Sequence, residues 1–370
     1  MKILAAVAEQ KQQALAIRTL DLEEPRDSEV RVKIVAAGIC RTDLDVRDGY
    51  LPTPLPVVLG HEGAGIVDKV GAAVTGFQPG DHVVLSIGRC GQCEPCKQGQ
   101  PAFCVHHMEL NFSGARRDGS ACLHNGASAV HSHFFCQSSH ATYAVADQTS
   151  LVKVPREVDL KFLGPLACGV MTGAGGVLNT LKPTADSSVA IFGAGTVGLS
   201  GLMATRIIGC ARRIVVDNKQ ARLDLAKELG ATHTVLSEPG VDVASKLREL
   251  TDGQGVHYAF ESSGVRPVIA TAFDSLREMG TLVMTGVLPQ GSTVEFDAWK
   301  LLRGRKVIGS VMGDTDPDTF IPQLVEYYRK GQLPLEKISR IYPLESINEA
   351  IADGISGKVV KAIVTMPHEH

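Results

Sequence analysis

The sequence predicts an α/β protein in two parts: an all-β barrel first, then a doubly wound parallel sheet. Three observations carry the prediction. Residues 1–90 break into short runs in which apolar and charged residues alternate, the period of a half-buried strand. From Lys161 the composition changes to apolar, β-branched runs separated by helical stretches, the pattern of a parallel sheet. Between them lies a segment dense in Cys and then in His, Gly and Ser, with little periodicity of either kind. A chain of 370 residues is long enough for two domains, each with its own core.

Composition narrows the function classes. The 44% apolar content is that of an ordinary globular protein. The net charge is -3, from 37 basic and 40 acidic residues that are well mixed. That balance argues against a nucleic-acid or acidic-membrane partner. No apolar run approaches the ~20 residues that span a bilayer. Residues 1–8 are apolar but stop at Glu9, which fits a first strand better than a signal peptide. The nine cysteines include a tight cluster at metal-ligand spacing. They read as thiols and ligands in a reducing cytoplasm, not as disulfides.

In the first part, residues 30–35, 65–70 and 81–85 alternate as strands do, and residues 76–81 form a turn between two of them. Several short strands at this spacing suggest a barrel.

The stretch from Cys40 to Glu62 gathers a thiol, an imidazole and two carboxylates: Cys40, His61, Asp43 and Glu62. Cys and His are ligands that zinc prefers, and a catalytic zinc takes three protein ligands and keeps a fourth position open. Cys40 and His61 supply two, and Cys168 is the best candidate for the third. Taken singly, a Cys is more often a small buried hydrophobe and a His a core residue. Their pairing with Asp43 and with the Gly60–Gly63 turn favours the ligand reading.

Cys90, Cys93, Cys96 and Cys104 are the most specific local signal. Four thiolates at such intervals wrap one tetrahedral metal. An iron–sulfur cluster competes, but the bacterial ferredoxin run closes with a three-residue gap and a Cys-Pro. Here the last gap is seven residues and Val105 follows Cys104. Such a closed site serves folding, not chemistry.

Residues 188–192 form an apolar strand that runs into Gly193, Gly195, Thr196, Val197 and Gly198 and then a helix. Asp217 lies nineteen residues after Gly198, at the end of the next strand. Strand, glycine pattern, helix and acid together make a strong dinucleotide signature. Gly193 permits the turn, Gly195 lets a pyrophosphate approach, and Gly198 lets helix and strand pack closely. The helix N-terminus attracts the phosphates. Asp217 accepts bonds from ribose hydroxyls and repels a 2′-phosphate, so NAD is expected over NADP. Further strands are expected at 234–236, 256–260, 281–284 and 306–309.

Residues 105–140 hold His106, His107, His124, His131, His133 and His140. A second metal site is one reading. A solvated loop lining the substrate cleft is the preferred one.

The run Cys40-Arg41-Thr42-Asp43 and the later Gly60-His61-Glu62 resemble the zinc-dependent medium-chain alcohol dehydrogenases, and the resemblance spans essentially the whole chain. It implies a chaperonin-10-like barrel as catalytic domain, residues 1–160 completed by 306–370, and a Rossmann coenzyme domain at 161–305. It implies Cys40, His61 and Cys168 on a catalytic zinc with Glu62 just behind it, and a structural zinc on Cys90, Cys93, Cys96 and Cys104. Asp43 then orients His61. Thr42 passes the alcohol proton to the nicotinamide ribose. Asp45 stands where liver-type enzymes have a His, so Asp45 or water ends the relay. Arg41 and Lys361 are implied at the coenzyme pyrophosphate, and Val287 as a further coenzyme contact. Residues 118–120 and 134–143 resemble the aryl-alcohol (benzyl-alcohol) branch, which usually has Gly and Phe where this chain has Cys136 and His140.

The resemblance therefore implies a homodimeric or homotetrameric cytoplasmic enzyme. It oxidises a primary alcohol, aromatic or otherwise bulky and apolar, with NAD and two zinc ions. The nearest alternative is a dehydrogenase for a thiol adduct of formaldehyde, whose anionic substrate Arg116 and Arg117 would attract. A zinc-ribbon binding module fused to a NAD sensor is disfavoured by the intact catalytic residues. A zinc-free quinone reductase is excluded by Cys40, His61 and Cys168.

Overall fold

The computed structural model of the chain describes residues 1–368. It divides into two compact units, Met1–Cys168 with Asp316–His370, and Gly169–Thr315.

In the first unit the strand Glu29–Gly38 organises the larger sheet. Val30, Val32 and Ile34 are buried while Arg31 and Lys33 are half-exposed, as the two-residue period of a strand dictates. Glu29–Gly38 pairs antiparallel with Gly63–Val70, Tyr143–Asp147 and Lys361–Thr365. His82–Leu85 and Leu151–Lys153 continue the sheet on one side, and Ser339–Pro343 adds in parallel on the other. A second sheet runs Val57–Val58, Lys2–Ala8, Ala16–Leu22, Leu123–Asn125, Ser128–Val130. Its inward side chains Ile3, Val7, Leu20, Leu22 and Val58 are buried together, each worth roughly 1.5–3 kcal/mol over exposure. An antiparallel bridge from Ala5 to Ala141 links the first strand to the segment leading into Tyr143–Asp147. Short alternating strands thus build the barrel.

The second unit holds parallel strands in the spatial order His233–Leu236, Arg212–Asp217, Ser188–Phe192, Val256–Glu261, Leu276–Met284, Lys306–Gly309. Numbered along this unit, the order is 3-2-1-4-5-6, that of a doubly wound dinucleotide fold. Strand Ser188–Phe192 is buried throughout, because helices cover both faces of such a sheet. The order reverses between Ser188–Phe192 and Val256–Glu261, where such folds place their ligand crevice.

Two expectations need correction. Lys306–Gly309 does not belong to the barrel domain: its ladder partner is Leu276–Met284, so the parallel sheet claims it. At the other end, residues 161–168 fall in the first unit, because Gly164 packs against the Glu62 backbone with no room for a Cβ. Nor are residues 105–140 a solvated loop. They form the helix His107–Phe112 and the hairpin Leu123–Asn125 with Ser128–Val130, and they bury Asn111, Arg116, His133, Gln137 and His140. Elements this short leave no periodicity to read.

Candidate active site and coenzyme site

Cys40 follows Glu29–Gly38 and caps the helix Arg41–Arg47. Asp43, in the first turn, accepts a bond from the Cys40 amide through Oδ2 at 2.9 Å. Its Oδ1 accepts from the Gly60 amide at 3.0 Å and lies 3.0 Å from His61 Nδ1. One carboxylate therefore ties together the two segments that carry Cys40 and His61. Burial opposes its charge, but His61 and the amide donors outweigh burial and hold Asp43 well below the usual carboxylate range.

Cys168 ends the short 3-10 turn Gly164–Ala167, and its sulfur lies 3.9 Å from that of Cys40. One ligand atom from each of Cys40, His61, Glu62 and Cys168 lies within 4.8 Å of the others. His61 Nε2 is buried with no hydrogen-bond partner, an expensive arrangement unless something else takes its lone pair. The Cys168 sulfur and His61 draw the Cys40 pKa well below that of an ordinary thiol. Two sulfurs, an imidazole nitrogen and a carboxylate suit zinc. Thr42 Oγ1 lies 3.8 Å from Cys40 Sγ.

Lys361 is not where the resemblance puts it. Its side chain is 3% exposed, and Nζ bonds both Glu62 oxygens at 2.9 and 2.8 Å and the Ile39 carbonyl at 3.0 Å. Held there, the amine is not free to reach out to a pyrophosphate. The fully buried Glu62 carboxylate requires a counter-charge, and Lys361 is it. The sequence signal was present: a lysine opening the otherwise apolar strand Lys361–Thr365. Arg41, by contrast, is exposed, with Nε 2.8 Å from Asp45 Oδ1 one helical turn on. Arg116 is buried and bonds Glu29 at 2.7 and 3.0 Å, so it does not wait for an anionic substrate. Gln137 carries no signal in the sequence beyond being polar in an aromatic run, yet it is buried beside His61.

The sulfurs of Cys90, Cys93, Cys96 and Cys104 also lie within 4.8 Å of one another. The Gln92 and Cys93 amides point at Cys90 Sγ at 3.4 and 3.3 Å and bring its pKa down to about 6. That favours the thiolate a metal needs. Among the described residues these two groups are the ones at metal-ligand spacing, and the histidines of 105–140 add no third.

In the second unit Gly193 has φ +93°, and a Cβ on Gly198 would sit 1.7 Å from the Gly193 carbonyl. Around Gly195 there is open space, and the helix Thr196–Ile208 begins directly after it. Asp217 Oδ2 accepts from the Ala194 amide at 2.7 Å and Oδ1 from the Lys219 amide at 2.9 Å. The acid thus also holds the glycine turn in place. Val287 is 71% exposed, just beyond the strand Leu276–Met284.

Comparison with known proteins agrees with this architecture. Residues 26–156 match the alcohol dehydrogenase GroES-like domain, and residues 196–327 the zinc-binding dehydrogenase domain. The chain is 39% identical to geraniol dehydrogenase of Castellaniella defragrans over 362 residues, covering 97% of this chain and 96% of that one. An alcohol dehydrogenase zinc-binding domain protein from Burkholderia ambifaria superposes with TM-score 0.97 at 47% identity over the whole of both chains. Benzyl alcohol dehydrogenase from Acinetobacter calcoaceticus superposes with TM-score 0.95 at 42% identity, over 99% of this chain and 100% of that one. The chain is an oxidoreductase that belongs to the zinc-dependent medium-chain alcohol dehydrogenase family, within its aryl-alcohol dehydrogenase-like branch.

Proposed function

We propose that the protein catalyses the reversible oxidation of a primary alcohol, aromatic or otherwise bulky and apolar, to its aldehyde with NAD. In this reading Cys40, His61 and Cys168 hold a catalytic zinc with Glu62 behind it, and Cys90, Cys93, Cys96 and Cys104 hold a structural one. The observation that carries it is His61 Nε2, buried and unpartnered beside two thiols. Asp43 takes the other ring nitrogen. A proton on Nδ1 leaves the lone pair on Nε2.

When bound, zinc supplies Lewis acidity that eases loss of a hydroxyl proton, and NAD supplies the hydride acceptor. The chain does the rest. Thr42 Oγ1 accepts the substrate's hydroxyl proton and passes it on. Asp45 on the same helix, or water, receives it; the bond from Arg41 Nε to Asp45 competes for that carboxylate. Gly193, Gly195, Thr196, Val197 and Gly198 cradle the pyrophosphate at the helix N-terminus. Asp217 accepts from the ribose, while Val287 and Arg41 are further coenzyme contacts. The charge of Asp217 supports NAD over NADP.

The likeness to a geraniol and a benzyl alcohol dehydrogenase supports an apolar alcohol. The formaldehyde–thiol alternative loses half its support, since Arg116 is already paired. We read the enzyme as a cytoplasmic homodimer or homotetramer.

Side-by-side kinetics with benzyl alcohol, cinnamyl alcohol, hexanol, ethanol and a formaldehyde–thiol adduct test this. An aromatic ring entering an apolar cleft loses on the order of 100 Å² of exposed area, worth ~2.5 kcal/mol, and ethanol has far less apolar surface to lose. Kept in the transition state, that is about a hundredfold in kcat/KM. A win for ethanol overturns the aryl reading, and turnover of the thiol adduct alone selects the alternative.

A further inference from the structure

Between His133 and Ser138 the backbone buckles. His133 (φ 59°), Phe135 (φ 51°), Cys136 (φ 56°) and Ser138 (φ 56°) all take left-handed conformations without being glycine. Such residues are disfavoured and persist where their surroundings over-determine them. Here the surroundings are the segment that carries His61. Phe135 stacks on the His61 ring at 4.5 Å and 29°, and Phe134 meets it edge-on at 5.5 Å. The Ser139 amide donates to the Gly60 carbonyl at 2.9 Å, and Ser138 Oγ to the Val58 carbonyl at 2.6 Å.

Gln137 makes the most specific contact. It is 1% exposed. Its Oε1 accepts from the Gly63 amide at 3.1 Å. Its Nε2 donates to the His61 carbonyl at 3.0 Å and to the Ser86 carbonyl at 3.2 Å. One side-chain amide therefore brackets the dipeptide His61-Glu62, holding the carbonyl inside it and the amide just after it.

We propose that Gln137 is a positioning residue for the catalytic metal, setting the backbone frame from which His61 and Glu62 project. The proposal rests on reading Cys40, His61, Glu62 and Cys168 as a metal site. Where an imidazole nitrogen lies depends on the ring torsions and on the Cα–Cβ direction. Asp43 and Phe135 restrain the ring. The peptide planes on either side of His61 and Glu62 set the Cα–Cβ directions; Gln137 holds the His61–Glu62 and Glu62–Gly63 planes, and the Ser139 amide holds the Gly60–His61 plane. A role confined to satisfying buried backbone groups would cost stability when removed, with no preference for one metal over the other. A positioning role loosens one metal and spares the other.

The test uses the zinc-loaded full-length protein and an excess of a chromogenic zinc chelator, with release followed in time. Metal content of the unaltered chain is measured first. Gln137→Met keeps the side-chain length and removes the amide. One zinc is expected to leave at least about tenfold faster than in the unaltered chain, with the other unchanged, because lost supporting bonds typically weaken metal sites by ~10–100-fold. Gln137→Asn, one methylene shorter, supplies the same comparison if the methionine variant does not fold. Ser138→Ala, which cuts the bond to Val58 and not to His61, should leave both rates within about twofold. Equal release from the Gln137 variants and the unaltered chain overturns the proposal. Equal acceleration by Ser138→Ala also overturns it, since it marks general loosening of the buckle. An unaltered chain with zinc on the four-cysteine group alone overturns the metal-site reading, and the proposal with it.

Discussion

Lys361 Nζ lies 2.8 Å from Glu62 Oε2, and both side chains are buried although 299 residues separate them. The ammonium is the fixed counter-charge of that carboxylate. Removing one member of such a pair leaves the other charged and desolvated, which costs ~3–5 kcal/mol. Lys361→Met should lose about that much stability in urea unfolding. The double change Lys361→Met with Glu62→Gln should recover most of it, because no naked carboxylate remains. A Lys361→Met protein within ~1 kcal/mol of the original would place the pair among weak surface bridges and sink this account.

Purified protein should carry two zinc ions per chain by elemental analysis, one for each ligand group. Cys40→Ala should keep one zinc, stay folded and lose turnover. Cys96→Ala should lower the melting temperature first, because metal binding at a closed four-thiolate site is folding free energy. Iron in place of zinc, or a Cys96→Ala protein that melts like the original, would contradict the assignment.

Asp217 should favour NAD over NADP by at least about tenfold in kcat/KM, ~1.4 kcal/mol. Asp217→Gly should narrow that ratio. It should also raise KM for NAD, since the same carboxylate holds the Ala194 amide of the glycine turn. Equal rates with both coenzymes in the unaltered enzyme would refute this reading of Asp217.

Acid should loosen the barrel through Glu29. Its Oε1 lies 2.7 Å from Arg116 Nε and 3.5 Å from His133 Nε2. Burial raises its pKa, but His133, Arg116 and the Arg26 amide outweigh burial and bring it from 4.5 to about 2. A depressed carboxylate pKa contributes stability that is complete above the unfolded value. That stability fades as pH falls from about 4.5 through about 2. Discounted for solvent screening, it amounts to ~2 kcal/mol. Arg116→Met should therefore be less stable at neutral pH, with the gap closing toward about pH 3. Urea midpoints of both proteins across this range decide it, and a gap independent of pH would refute it.

Features that depend on residues close together in the chain can be read before the chain is folded. The gathering of Cys90, Cys93, Cys96 and Cys104 and the glycine turn held by Asp217 are legible because they follow from short spacing and from the turns between the residues. The Cys40 and His61 segments were legible because each has a local pattern of its own. Features that depend on pairing between distant segments emerge only in the folded chain. Whether Lys361 meets a phosphate or Glu62 turns on its strand lying beside Glu29–Gly38, and no local feature encodes that neighbour. Gln137 is likewise an ordinary amide until the buckle carries it to the backbone of His61, 76 residues away. Burial then assigns both roles. With water excluded, a charge or an amide must take whatever partner the fold provides, and only the folded chain specifies which partner that is.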